Sequence, residues 1–169
     1  LRTHESPNLL ACLATIVNTC SKLTREMIMI PRQLYDSDHE MFRNSLRKFL
    51  EIEAMPNHEQ WESDGMVSDD IWLKAGEQGF LCPMVPEEYG GVGTDFLYNC
   101  IVNEEVSRSG CTGLGWSLHN DISVPYIVRY GSDYQKKRYL PRCVSGELIT
   151  AIAMTEPGAG SDLQGTKTT

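Results

Sequence analysis

The run Met154-Thr155-Glu156-Pro157-Gly158-Ala159-Gly160-Ser161-Asp162 gathers two hydroxyls, two carboxylates and two glycines into one short stretch. Pro157 fixes its own φ, while Gly158 and Gly160 can adopt positive φ and leave the main chain bare. A ligand could therefore approach the backbone amides closely, with the Thr155 and Ser161 hydroxyls beside them. Donors of this kind suit an electron-rich, multi-atom ligand such as a flavin ring or a thioester carbonyl.

Other residues with chemical potential carry weaker patterns. Gly90-Gly91-Val92-Gly93 is glycine-rich, but no strand precedes it and no Lys-Ser/Thr follows, so a tight turn between helices is expected rather than a phosphate cradle. Gly158-Ala159-Gly160 follows a strand-like run, yet the third glycine of a dinucleotide fingerprint would fall at Leu163, which disfavours a nicotinamide site. His119 lies near Trp116 and Asn120, but Gly115-Trp116-Ser117-Leu118-His119 lacks nucleophile-elbow spacing, and a packed or capping histidine is expected. Glu104-Glu105 could be an acid–base pair. Adjacent helical residues point about 100° apart, so the two are expected not to share a site. The six cysteines, Cys12, Cys20, Cys82, Cys100, Cys111 and Cys143, include no C-x-x-C pair. His4, His39, His58 and His119 do not flank them at zinc spacing, so free thiols and no metal are expected.

These residues need a scaffold. The chain of 169 residues, 41% hydrophobic and 22% charged, suits one domain, or one domain and the start of another. A net charge of −8 argues against a nucleic-acid surface, and Lys136-Lys137-Arg138 reads as a solvated helix face. No segment approaches the roughly 20 apolar residues that span a bilayer. Leu9 to Val17 is shorter, and Arg2, Lys22 and Arg25 suggest a transit segment that Glu5 and Glu26 oppose. Residues 1–33 are set apart as an unassigned leader or a spurious extension.

Beyond them the pattern is helical. Asp36, Ser37 or Asp38 can cap a helix whose apolar face is Phe42, Leu46, Phe49 and Leu50, with Pro56 closing it. Ser68-Asp69-Asp70 opens a second helix running to Gly79. Thr94 or Asp95 caps a third, which ends at Ser109-Gly110. Gly113 to Tyr130 is a fourth stretch that Pro125 must kink or divide. Ser132 and Gln135 form a capping box for a fifth. A strand signal appears only at Leu148 to Met154. The fold class expected is therefore mostly α: an all-α domain over 34–147, followed at 148–169 by the beginning of β structure.

With these elements in place, the sequence resembles the amino-terminal part of the acyl-CoA dehydrogenases from about Leu34 to Thr169. Ala151 to Asp162 is similar to the family's first flavin signature. Pro86-Glu87-Glu88-Tyr89-Gly90-Gly91 with Gly93, and Gly131-Ser132 with Gln135, Tyr139-Leu140-Pro141 and Ser145-Gly146-Glu147, match two further elements in the same order. The wording from Glu156 to Lys167 is most similar to long-chain members. The resemblance implies an all-α amino-terminal domain, then the first strand of a middle β-barrel domain that is truncated in this chain.

It also implies FAD as cofactor. Ile152, Ala153, Met154, Thr155, Glu156, Pro157, Gly158, Ala159, Gly160 and Ser161 would then form the cofactor-binding segment. Main chain near Met154 and Thr155, with the Thr155 hydroxyl, would meet the flavin's pyrimidine edge; Ser161 would contact both flavin and acyl-CoA. Tyr98, Ile101 and Val102 are candidates for lining an acyl pocket, but packing is their expected role. The implied reaction is α,β-dehydrogenation of a fatty acyl-CoA, with electrons passing to an electron-transfer flavoprotein in an enzyme that is homo-oligomeric when complete. The base belongs to a carboxy-terminal domain, so no catalytic residue is assigned here and the chain alone is expected to be inactive. The compartment implied is the mitochondrial matrix in a eukaryote or the cytoplasm in a bacterium. A non-catalytic helical module binding acyl-CoA or protein, or part of an acyl-CoA oxidase, remain the alternatives.

Overall fold

The structure is a computed structural model that describes residues 34–168. The residues from Tyr35 onward form one compact unit. The readings made above for residues 1–33, including Cys12, Cys20 and the transit segment, lie outside the described residues.

Helix α1, Ser37–Phe49, begins where the sequence predicts. The Asp36 carboxylate accepts the backbone N–H groups of Asp38 and His39, and the His39 side chain returns a bond to the Asp36 backbone. The chain does not end at Pro56, however. It widens into a π-helical turn, Leu50–Ala54, tightens into a 3₁₀ turn, Met55–Asn57, and continues as α2, His58–Asp64, which Gly65 closes at φ 69°. Pro56 sits in the first turn of the 3₁₀ segment, where its missing N–H leaves no bond unmade. The π turn ahead of it has already left the i→i−4 ladder that the ring would block.

Helix α3, Asp69–Glu77, carries two acids in its first turn, where they oppose the positive end of the helix dipole. Helix α4, Phe96–Ser109, is capped by the Asp95 carboxylate on the Leu97 N–H and ends at Gly110 with φ 77°. The fourth stretch is divided, as Pro125 requires. A 3₁₀ turn, Thr112–Leu114, and a π-helical segment, Leu118–Ser123, precede α5, Val124–Tyr130, in which Pro125 occupies the tolerant first turn. Helix α6, Asp133–Val144, has the expected capping box. Ser132 Oγ accepts the Gln135 N–H, and Gln135 Oε1 accepts the Ser132 N–H at 2.8 Å. Replacing Ser132 by Ala is expected to cost about 1 kcal/mol, read as a lower denaturation midpoint.

The core lies between α1, α3, α4 and α6. Leu46, Leu50, Ile101, Val102, Leu114, Trp116 and Leu140 are fully buried. Aromatic rings run through it in sequence. Phe42 meets Phe80 at 5.5 Å, Phe80 meets Phe49 at 5.2 Å, and Trp72 meets Trp116 at 6.3 Å in an edge contact. Helix α3 and the end of α6 touch backbone to backbone. A Cβ on Gly76 would lie 2.3 Å from the Ser145 carbonyl oxygen, and one on Gly146 would lie 2.2 Å from that of Trp72.

Gly90 to Gly93 form a closed turn. The Gly93 N–H donates to the Val85 carbonyl at 3.0 Å, and a Cβ on Gly91 would fall 1.9 Å from that same oxygen. One expectation fails. Leu148 to Met154 forms no strand, and no strand occurs among the described residues. A strand exists only through hydrogen bonds to a neighbour, and this segment has none beside it; β-forming residues alone cannot supply the missing ladder.

Candidate functional site

The segment leaving α6 is fixed at its beginning and bare further on. The Leu148 N–H donates to the Arg142 carbonyl at 3.0 Å, and Leu148 packs on the core. Thr150 is bound by His119. Ala151 to Thr155 are exposed, and their backbone N–H groups meet no protein acceptor among the described residues. Ile152 and Met154 expose 37% and 53% of their surface. The chain then folds back on itself: Glu156 and Ala159 exchange backbone hydrogen bonds of 2.9 and 3.1 Å around Pro157 and Gly158, and Ala159 is buried.

Gly158 and Gly160 do not take the positive φ that the sequence suggested; neither is among the residues in that region. Their contribution is space. A Cβ at either position would meet nothing within 4 Å, so both present bare main chain to an open surface. The turn is a type that ordinary residues can form, so neither backbone conformation nor any protein neighbour demands glycine here; what glycine leaves is bare main chain on the open side. Thr155 and Ser161 are exposed beside this surface. Glu156 is used differently: its carboxylate accepts the Lys167 and Thr168 N–H groups, each at 2.9 Å. These bonds, with the Thr168 side chain foremost, hold its carboxyl below the usual range. The loop is thus stapled by Glu156 while its other polar groups face outward. Exposed main-chain donors, two free-standing hydroxyls and glycines that leave room fit one side of a flat, acceptor-rich ring such as a flavin.

Behind the segment lies a polar hub absent from the sequence reading. His119, Asn120 and Asp121 are consecutive in the π-helical segment, and each binds a different part of the fold. His119 Nε2 contacts the Cys143 carbonyl at 3.0 Å, and its Nδ1 contacts Thr150 Oγ1 at 2.8 Å. Asn120 accepts the Cys82 N–H at 2.8 Å and donates to the Phe80 carbonyl at 3.3 Å, which pins Cys82 at its φ of 51°. The Asp121 carboxylate accepts the side-chain amides of Asn99 and of Asn103, the latter at 2.6 Å, both from α4. The available signal was a polar triplet between Leu118 and Ile122. Consecutive helical side chains do not share a face, so three neighbours reach three different elements.

His119 is fully buried, in keeping with the packed histidine expected. Burial pushes its pKa down, partly offset by the Cys143 carbonyl. Burial also raises the thiol pKa values of Cys82 and Cys143, the latter to about 11, so neither is a nucleophile at neutral pH.

The expectation for Glu104 and Glu105 is corrected. They converge on one guanidinium, Arg43 Nη1, at 2.8 and 2.9 Å. Glu105, 3% exposed, also accepts Arg47 Nε and Nη2 at 2.8 Å, and Tyr35 donates to Glu104 at 3.2 Å. A long arginine reaches both carboxylates despite their divergent Cα–Cβ directions. The cluster ties α1 to α4 and contains no acid–base pair.

Ile101 and Val102 are core residues, and the Tyr98 ring packs 4.5 Å from His39 and 5.1 Å from Phe42, as expected. An apolar cleft of about 330 Å³ lies elsewhere, between Cys82, Met84 and Val85 on one side and Val124, Pro125 and Val128 on the other. No helix among the described residues is long and apolar enough to cross a membrane.

Residues 36–147 match the family described as acyl-CoA dehydrogenase, N-terminal domain. The long-chain specific acyl-CoA dehydrogenase, mitochondrial, of Sus scrofa is 51% identical over 137 residues, which are 81% of this chain and 32% of that protein. The crystal structure of an acyl-CoA dehydrogenase from Geobacillus kaustophilus superimposes with a TM-score of 0.75 at 53% identity, over 79% of this chain and 35% of that one. An acyl-CoA dehydrogenase from Bacillus anthracis, solved as a complex with FAD, gives a TM-score of 0.72 at 38% identity, over 82% of this chain and 24% of that one. The chain thus spans about a third of the length of the long-chain relatives it matches. With residues 36–147 matched to the family's amino-terminal domain and half of the aligned residues identical to a long-chain relative, the chain belongs to the acyl-CoA dehydrogenase family.

Proposed function

We propose that this chain provides the helical domain and the first flavin-facing segment of an FAD-dependent acyl-CoA dehydrogenase. Residues 34–147 are the amino-terminal domain, and 148–169 open the middle β domain. The reaction is α,β-dehydrogenation of a fatty acyl-CoA, with electrons passing to an electron-transfer flavoprotein in a homo-oligomeric enzyme. The supporting observation is the exposed run Ala151 to Thr155, whose main-chain donors stand free, followed by the bare Gly158 and Gly160 and the exposed Ser161.

When bound, FAD supplies the hydride acceptor. Main-chain groups near Met154 and Thr155, with the Thr155 hydroxyl, would hold its pyrimidine edge, and Ser161 would contact both cofactor and acyl-CoA. Ile152 to Gly160 shape the remainder of the contact, with Glu156 closing the loop through the Lys167 and Thr168 amides. Glu105 is buried in ion pairs and Glu156 is bound to amides, so neither is assigned proton abstraction; the family resemblance places that role on a glutamate of the carboxy-terminal domain. The similarity to long-chain relatives supports a fatty acyl substrate and, in a eukaryotic source, the mitochondrial matrix; a bacterial source places the enzyme in the cytoplasm.

The purified chain alone is expected to be colourless and inactive. A stoichiometric flavin spectrum from it would refute the division of the site between this chain and later sequence. In the complete enzyme, Thr155→Ala is expected to weaken FAD about tenfold, as loss of one hydrogen bond to a partly charged ring implies. Ser161→Ala is expected to raise KM for acyl-CoA as well. Unchanged flavin retention in both variants would overturn the assignment.

A further inference from the structure

The neutral ring of His119 has one arrangement compatible with its neighbours. The Cys143 carbonyl, 3.0 Å from Nε2, can only accept, so Nε2 carries the proton. Nδ1 is then bare and accepts twice from Thr150, from Oγ1 at 2.8 Å and from the backbone N–H at 3.3 Å. The ring is fully buried, with Trp72 edge-on at 5.4 Å, and so has no room to turn. It belongs to a π-helical segment whose next two residues are bonded to the loop at Cys82 and to α4. A rigid hub therefore grips the chain at Thr150, immediately before the exposed run that begins at Ala151.

We propose that His119 is a positioning residue: through Thr150 it sets where the Ala151–Ser161 segment leaves the helical domain. This rests on the reading of that segment as flavin-facing. Leu148 supplies the other tether, through the Arg142 carbonyl, so the segment is held at two points on α6 and the hub and is free thereafter. Placement matters because donors arranged before the ligand arrives cost nothing to reorganise when it binds. A single rotatable tether would not define the direction of departure. Two acceptor contacts at one nitrogen, on a ring locked from the opposite side, do.

The test is NMR of the isotopically labelled 169-residue chain, which needs no flavin. His119 is expected as the neutral Nε2–H tautomer near neutral pH, with the Thr150 amide exchanging slowly. In His119→Gln, which keeps a donor toward Cys143 but loses the acceptor toward Thr150, Thr150 exchange should quicken about tenfold. Amide resonances of Ala151 to Ser161 should also move while those of α4 stay in place. Thr150→Val should move the same resonances, and Thr150→Ser should restore them. If they stay put in Thr150→Val, or if α4 shifts equally in a folded His119→Gln, His119 is a core residue with no positioning role. The opposite tautomer would overturn the proposal outright. Loss of flavin binding at Thr155 and Ser161 is measured separately in the complete enzyme, so the flavin reading can fail while the latch stands, and the reverse.

Discussion

Glu105→Gln is expected to lower the unfolding free energy by about 3 kcal/mol. Removing one member of a buried ion pair costs about 3–5 kcal/mol, because the partner charge stays desolvated. Two features place the cost at the lower end: Arg47 retains 31% exposure of its side chain, and Arg43 keeps Glu104 at 2.8 Å. Glutamine fills the same volume, so cavity formation does not enter. The pH dependence separates charge from shape. Burial alone would raise the Glu105 pKa, but the hydrogen bonds from Arg47 and Arg43 outweigh it and leave the carboxyl below its ordinary value of 4.5. The unfolded chain then takes up its proton first as pH falls. The stabilisation is complete above about pH 4.5 and is lost as pH drops below it. Urea titrations at neutral pH and near pH 4 read this directly. The gap between wild type and Glu105→Gln should narrow in acid, and a gap independent of pH would show that packing, not charge, accounts for it.

Gly76→Ala is expected to destabilise by about 2–3 kcal/mol, against the direction of helix propensity. Glycine within a helix is about 1 kcal/mol worse than alanine, so on local grounds the substitution should help. The added Cβ would instead lie 2.3 Å from the Ser145 carbonyl oxygen and 2.8 Å from that of Val144. These are backbone atoms that cannot swing aside, and forced overpacking of this kind costs about 1–3 kcal/mol or more. The contact is reciprocal, since Gly146, at φ 80°, lies against the Trp72 carbonyl. Gly110→Ala provides the control. Its φ of 77° carries the left-handed penalty, but nothing lies within 4 Å of the added atom. Chemical denaturation should therefore show a loss of about 1 kcal/mol for Gly110→Ala and clearly more for Gly76→Ala. Equal losses would mean that α3 and α6 can slide apart. Because the end of α6 leads into Leu148 and Thr150, such sliding would also shift the candidate site.

The parts of the fold that the sequence made legible are those decided within a few residues. Asp36, Asp95 and the Ser132/Gln135 box mark helix starts because a cap is a bond between near neighbours. The stripe Phe42, Leu46, Phe49, Leu50 reports burial because a helix turns at a fixed rate, whatever it packs against. Pro56 misled for a complementary reason: the prohibition holds for an α-helix, and the chain avoids it with a π turn that no local pattern announces.

The Leu148–Met154 run shows the other limit. Its β-forming residues describe a preference, but a strand is a relation between two segments, and none lies beside this one. Within the candidate site, the order of Thr155, Pro157, Gly158, Gly160 and Ser161 was enough to point to a ligand that meets main chain and hydroxyls, since those are properties of the residues themselves.

What tertiary structure alone decided is how that segment is held. Arg43 reaching Glu104 and Glu105, and His119 reaching Thr150 and Cys143, join positions far apart in the chain. Residue types permit a great many such pairings, and only the packed arrangement of helices selects one. The sequence by itself determined the capped helix starts and the chemical character of the turn. The tertiary structure decided that Gly158 and Gly160 serve as open space rather than as left-handed hinges, and that the turn departs from a hub at His119. The physical reason is range: propensity and capping act within a turn of helix, whereas burial and buried hydrogen bonds depend on which distant segments arrive.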